Sequence, residues 1–579
     1  MIFLLIILNL FSSSLSSNGL PPPCSSEIYC YGELIDTVMK MRIYHDSKTF
    51  VDLRLKNPPN ETIIAFHDFM EISNNTPTID QVKVWLENHF NPAGSELTPY
   101  IPEDFNEKPT FLEGITDKKF KKFASDLNRI WINLCRKIID EVKDHPELSS
   151  IIYVPGRFII AGGRFHEFYY WDSYWIIRGL LVCELFQTVR SMIHNFLTII
   201  EQYGFIPNGG RIYYLARSQP PLLSGMMKSY IDRTHDYEFA ISSVDLLEKE
   251  FNYFITKKTV IVKGHRLARY IDESSGPRPE SYREDSSIGN EFDTDEEREN
   301  FYSEIKAAGE SGMDFSSRWF INKNGENIGT LKDLKTRHII PVELNAILYW
   351  NARIISEIFE YAKNTVKQKE YEMKANEILK AVNEVLWNEE LGIWTDYDLI
   401  NNKSRPYFSP TNFAPLWTKC FDATKSLVIA DKIVAYIKNL RLDDYPGGIP
   451  NSLYSTGEQW DWPNSWAPMQ HMIILGLDNL EDSRTSSLAI TWAERWIQSN
   501  FIAFEKTGNM YEKYIATELG GFGGGGEYEV QTGFGWSNGV ILDLLDKYGQ
   551  NVKSPGSYAS QILIDIKLYF VILVIKQIV

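Results

Sequence analysis

The chain has 579 residues, 44% of them hydrophobic and 23% charged, which excludes a disordered polypeptide and leaves room for a large core. Its formal net charge of −17 excludes nucleic acid as a partner, because phosphate binding needs a basic face. Five cysteines in this length exclude a disulfide framework as the source of the fold.

At the start, residues 2–11 form an apolar run followed by small residues, with Ser14 and Ser16 placed for cleavage. This is the pattern of a secretory signal over residues 1–17, although no Lys or Arg precedes the run; a buried N-terminal helix is the competing reading. Cys24 and Cys30, six positions apart, would close a small loop in an oxidising compartment. Cys135, Cys183 and Cys420 lie in apolar or helical surroundings and read as small buried hydrophobes. Asn60, Asn74 and Asn402 head glycosylation sequons, which permit secretion without proving it.

Helical periodicity dominates the rest of the chain. Phe120, Phe123, Leu127, Ile130, Leu134 and Ile138 recur at spacings of three and four, which predicts a helix. Residues 174–203 read as another helix, as do 344–361 behind Pro341, 371–387 and 484–499. Alternating strands are scarce, with 256–264 among the few candidates. The acidic run 291–299 reads as a solvated helix start. No fixed-period repeat and no Pro/Ser-rich linker interrupts residues 30–550, so the body of the chain is expected to be one α domain.

Beyond it lies a tail, 546–579. Its apolar segment 568–575 is too short for a confident membrane span. Gly556, Ser557, Ala559 and Ser560 upstream fit a lipid-anchor attachment signal, and Lys576 counts against it; an amphipathic or membrane-associated tail is the alternative.

Between the helices run long loops rich in Gly, Pro, Trp and charge: 161–174, 206–221, 276–285, 307–319, 458–468 and 510–539. Loops this long inside a compact domain usually carry function. They hold no phosphate-loop motif, no second histidine to complete a zinc helix around His166, and no nucleophile elbow. They do combine carboxylate, arginine and aromatic residues. Sugar hydroxyls take bidentate polar partners, sugar C–H faces take flat rings, and glycosidic cleavage takes one protonated and one ionised carboxyl group.

Each loop has a plainer reading. Arg164 and Glu167 would form a surface ion pair, Trp171 a core ring, and Arg278-Pro279-Glu280 an ordinary loop tripeptide. Asp314 would cap a helix, Glu512 would pair with Lys513 at the surface, and the glycines at 523–526 would be a flexible tether.

Taken together, GGRFHEFYYWDSY and QWDWPNSWAP resemble the two signature stretches of the trehalases. IPNGGRIYYLARSQPP, RPESYRED, ESGMDFSSRW and GGGGEYEVQTGFGWSNG add matches in the family's order, over residues 24–545. The resemblance implies an all-α (α/α)6 toroid that hydrolyses α,α-trehalose to two glucose molecules with inversion and without a cofactor or metal. It implies Asp314 as general acid and Glu512 as general base, roughly 6.5–9.5 Å apart to admit water. The implied sugar-binding set is Arg164, Trp171, Asp172, Asn208, Arg217, Ser218, Gln219, Arg278, Pro279, Glu280, Gly312 and Glu527.

Ala161, Met313, Ser465 and Ile515 depart from the family's usual residues, Met313 directly beside the acid. Competing readings are a glucoamylase-like hydrolase or a phosphorylase on the same toroid, and a catalytically silent sugar-binding protein. The expected partner is a small sugar, with membrane attachment only through the tail. The expected state is monomer or weak homo-oligomer, and the expected location the cell surface or exterior.

Overall fold

The computed structural model describes residues 19–556; the signal segment 1–17 and the apolar tail segment 568–575 lie outside the described residues. An outer helix shows why the elements form. In Lys118–Leu134 the buried side chains Phe120, Phe123, Leu127, Trp131 and Leu134 line one stripe. Asp117 begins the helix by accepting from the Lys119 and Phe120 amides at 2.9 and 3.1 Å. Burying five such side chains contributes roughly 10 kcal/mol before conformational entropy is subtracted. The inner helix Asp172–Val182, by contrast, is buried on nearly every side, with only Arg178 partly exposed, and so has no continuous polar face.

Two concentric rings result. The inner ring runs Asp172–Val182, Leu223–Thr234, Val342–Tyr361, Ala414–Trp417 with the 3-10 turn Pro410–Phe413 before it, Ala467–Asp478 and Gly535–Tyr548; each packs on the next, and the last returns to the first. Lys118–Leu134, Phe186–Tyr203, Tyr237–Lys257, Thr365–Ala381, Ser426–Asn439 and Ser483–Thr507 form the outer ring. This is the (α/α)6 toroid. Its closure depends on two glycines: a Cβ on Gly179 would stand 2.5 Å from the Gly539 Cα, and one on Gly539 would stand 2.0 Å from the Trp175 carbonyl oxygen.

Strands among the described residues are short. The expected strand near 260 forms as Thr259–Val262 paired antiparallel with His265–Ala268. The acidic run becomes the start of the helix Asp295–Glu310, with Thr294 and Glu297 in a capping box. Cys24 and Cys30 are bonded, and the other three cysteines are free and buried.

Three expected helices differ from the observed ones. Residues 174–203 are two helices, Asp172–Val182 and Phe186–Tyr203, broken where Glu184 takes a φ of 67°. The Glu184 carboxylate accepts from the Thr110 amide and the Asn106 side chain there, contacts from a distant segment that no helical period reveals. The periodic run ending at Ile138 leaves the helix at Leu134, because Cys135–Ile138 pairs as a strand with Phe158–Ile159 and Leu97–Pro99. Residues 371–387 end in a π turn, Val382–Leu386, and a short strand, Trp387–Asn388.

Four of the six long loops share one placement. Loop 161–171 runs into the N-terminus of Asp172–Val182, 206–222 into Leu223–Thr234, 458–466 into Ala467–Asp478, and 510–534 into Gly535–Tyr548. Four of the six inner helices are therefore entered from a long loop, and residues of these loops meet around one cavity.

Candidate active site

That cavity is lined by residues from all six loops. Of the expected sugar-binding set it contains Arg164, Trp171, Asp172, Asn208, Arg217 and Gln219, then Arg278, Glu280, Gly312 and Glu527, together with both Asp314 and Glu512. Ser218 and Pro279 are outside the lining. Ser218 is buried behind it, its hydroxyl donating to the Ile206 carbonyl at 2.6 Å and its amide to Glu310 at 2.9 Å. Its place is to hold the loop, and Pro279 opens a 3-10 turn that presents Glu280.

Trp171 is a buried core ring, as its plain reading has it, and lines the cavity as well; the plain readings of Arg164, Glu512, Asp314 and the glycines do not hold. Arg164 pairs with Asp46, Nε and Nη2 each donating at 2.6 Å, and not with Glu167. Glu167 lies in a buried network with Lys48 and Arg211. Glu512 and Lys513 are both buried; Lys513 Nζ donates to Gln459 at 2.7 Å and to the Gly525 carbonyl at 3.1 Å. Asp314 caps no helix. The glycines at 523–526 are docked: Asn464 Nδ2 donates to the Gly524 carbonyl at 2.7 Å, and the Gly526 amide donates to Gly457.

Aromatic rings form one wall. Trp460 stacks on Trp466 with centroids 3.8 Å apart, and Trp171 and Trp536 close around them. Gly312 is a glycine because its φ is 73° and a Cβ would stand 2.6 Å from the Trp171 indole. Trp319 and Arg318 carry the departure at Met313: the indole donates to the Met313 carbonyl at 3.1 Å, and Met313 is wholly buried. The peptide between Asp314 and Phe315 is cis.

The electrostatics separate the carboxyl groups. Burial pushes Asp314 up to about 6, and the Arg278 guanidinium opposes it, with Nη1 3.7 Å from Asp314 Oδ2. About a third of the Asp314 side chain, 34%, stays open to the cavity. Burial also raises Glu512; Lys513 and a hydrogen bond from Tyr528 resist it. Glu512 Oε1 accepts that bond at 2.8 Å, while Oε2 is buried without a hydrogen-bond partner among the described residues. Asp172 is pushed furthest, up to about 8, by burial and by the charges of Glu512 and Asp314, so near neutral pH it is mostly a protonated acid able to donate to a hydroxyl. Arg278 spans the site, donating to Asp285 at 2.6 Å and to Glu527 at 2.8 Å. Arg217 pairs with Glu280.

Several lining residues carry no signal of their own in the sequence. Phe165, Tyr169, Trp460, Trp466, Tyr528 and Trp536 all belong to the long loops, but nothing in a loop tells which ring turns inward. Asp46 had no local signal either, being 118 residues from the arginine it holds.

Among the cavity's carboxyl groups with raised pKa values are Asp314, beside an arginine, and Glu512, with a buried oxygen that has no hydrogen-bond partner among the described residues, and indoles wall them in. That is the equipment for acid–base cleavage of a sugar. The profile of the trehalase family matches residues 42–549. The chain belongs to the trehalase family. It is 48% identical to the trehalase of Apis mellifera over 96% of this chain and 89% of that one. It is 42% identical to the trehalase of Homo sapiens over 94% and 93%. Among solved structures it is similar to the neutral trehalase of Saccharomyces cerevisiae, with a TM-score of 0.54 and 24% identity over 70% of this chain and 74% of that one, which shows the shared toroid. As a member of the trehalases the chain is a glycoside hydrolase that cleaves α,α-trehalose.

Proposed function

We propose that Asp314 is the general acid and Glu512 the general base of an inverting hydrolysis of α,α-trehalose. Asp314, protonated, gives its proton to the glycosidic oxygen as the C–O bond breaks. Glu512, ionised, takes a proton from the water that attacks the anomeric carbon from the opposite face. Arg164, Asp172, Asn208, Arg217, Gln219, Arg278, Glu280 and Glu527 hold hydroxyls, and Trp171 and Gly312 shape the ring pocket. The carrying observation is that both carboxyl groups line one cavity with raised pKa values while Arg278 stops the acid near 6. No cofactor or metal enters this reading.

The test is glucose release from trehalose by the wild type, Asp314→Asn and Glu512→Gln, with the anomers followed by proton NMR. Each variant is expected to lose roughly 10²–10⁴-fold in kcat. The wild type is expected to release α- and β-glucose in equal amounts. Release of α-glucose alone, or equal rates in all three proteins, refutes the assignment. Comparable cleavage of maltose would favour the glucoamylase-like alternative.

The chain is further proposed to enter the secretory pathway and to act outside the cell or on its surface as a glycoprotein. The apolar run 2–11, the Cys24–Cys30 bond and the exposed sequon residues Asn60, Asn74 and Asn402 support this. No helix among the described residues is long and apolar enough to cross a membrane, so attachment would rest on the tail 546–579. Mass spectrometry of glycopeptides and of the mature C-terminus tests both statements, and sedimentation tests the expected monomer or weak homo-oligomer.

A further inference from the structure

Tyr528 has a placement to which the acid–base pair assigns no role. Its hydroxyl donates to Glu512 Oε1 at 2.8 Å. Its ring is gripped on two sides, by Phe165 edge-on at 5.6 Å between centroids and by the Arg164 guanidinium 4.7 Å from the ring centre. Arg164 is held in turn by its two hydrogen bonds to Asp46. Glu512 lines the cavity, and its other carboxylate oxygen is buried without a hydrogen-bond partner among the described residues.

The terminal torsion of a glutamate is broad, so a carboxylate with no fixed partner presents no defined oxygen. A base must meet its water within about 3 Å and in line with the bond being formed. We propose that Tyr528 is a positioning residue for Glu512: it pins one carboxylate oxygen so that the other faces the attacking water. The inference rests on Glu512 being the base.

The route by which Tyr528 arrives extends its role. It follows the glycines at 523–526, docked on Asn464, Lys513 and Gly457 rather than packed through side chains. The same segment carries Glu527 to Arg278 at 2.8 Å. The docked segment therefore supplies both the Glu527 contact and the hydroxyl that aims the base.

The groups facing Glu512 are Lys513, Tyr528 and Arg164, with Asp172 and Asp314 on the same cavity. Of these, Tyr528→Phe removes one oxygen and keeps the ring for Arg164 and Phe165. The expected result is a roughly tenfold lower kcat with KM for trehalose within about twofold, as for one hydrogen bond to a charged group. The acid limb of the kcat profile should move to higher pH, because the lost donor favoured the ionised carboxylate. Tyr528→Leu, which also removes the ring against the Arg164 guanidinium, should add a rise in KM. Glu512→Ala with azide separates the two ideas. If Glu512 is the base, azide restores turnover by attacking the anomeric carbon itself, yielding glucose and β-glucosyl azide.

With that rescue in hand, a Tyr528→Phe enzyme of wild-type kcat and unshifted acid limb overturns the positioning role alone. So does a parallel loss in kcat and rise in KM without a shift of the limb, the signature of a merely structural loop residue. Wild-type turnover by Glu512→Ala overturns the base assignment and the inference with it.

Discussion

Gly312→Ala probes how closely the acid is held against its aromatic wall. The added Cβ would stand 2.6 Å from Trp171 Cε2 and 2.7 Å from Cζ2, about 1 Å inside ordinary carbon–carbon contact. The indole has little space to retreat, with Trp175, Trp460 and Trp536 at 5.5, 5.8 and 6.0 Å between centroids. Overpacking of this kind costs about 1–3 kcal/mol, and alanine at a φ of 73° adds about 1 kcal/mol. The sum, roughly 2–4 kcal/mol, falls on the segment two residues before Asp314. A shift of about 1 Å at a reacting group costs roughly 100-fold in rate.

The assay compares kcat/KM and thermal unfolding with Gly264→Ala. Gly264 has a φ of 84° but nothing within 4 Å of the new Cβ. The control should lose only the backbone strain, about 1 kcal/mol, and no activity. Gly312→Ala should lose more stability and roughly 100-fold in kcat/KM. Equal effects from the two substitutions would refute the packing argument, because only one of them meets a ring.

Other outcomes rest on the same geometry. Asp314 works protonated, so kcat/KM should fall as pH rises through about 6, where burial has placed it. Glu512 works ionised and is raised by burial, so activity should also fall on the acid side at a pH above the usual carboxylate range. The profile is then a bell on the acid side of neutrality, and a flat kcat/KM from about pH 5 to 8 would contradict the assignment. Cys24→Ser opens a loop with a sequence separation of 6. It should lower stability by roughly 2 kcal/mol, read as a drop in Tm, and leave kcat unchanged.

Much of the site was legible in the sequence alone. The loops were marked by what they combine, since no helix or strand needs Gly, Arg, carboxylate and Trp together. Asp314, Glu512 and most of the expected sugar set do converge on one cavity. Ser218 and Pro279 sat in the right loops and face away from the lining, because a loop has no period to tell inward from outward. Tyr528 follows Glu527 directly, yet its hydroxyl reaches a residue 16 positions back.

Composition, periodicity and motif order were enough to determine an acidic, helical chain with catalytic loops between its helices. Those properties are local: side-chain spacing sets helices, and glycine and proline set where they stop. Tertiary structure decided the break at Glu184, the Asp46 partner of Arg164, and which oxygen of Glu512 remains free. It also decided how far each carboxyl group departs from its solution behaviour. Those are consequences of burial and of charges brought together from distant segments, and they exist only once the ring of helices has closed.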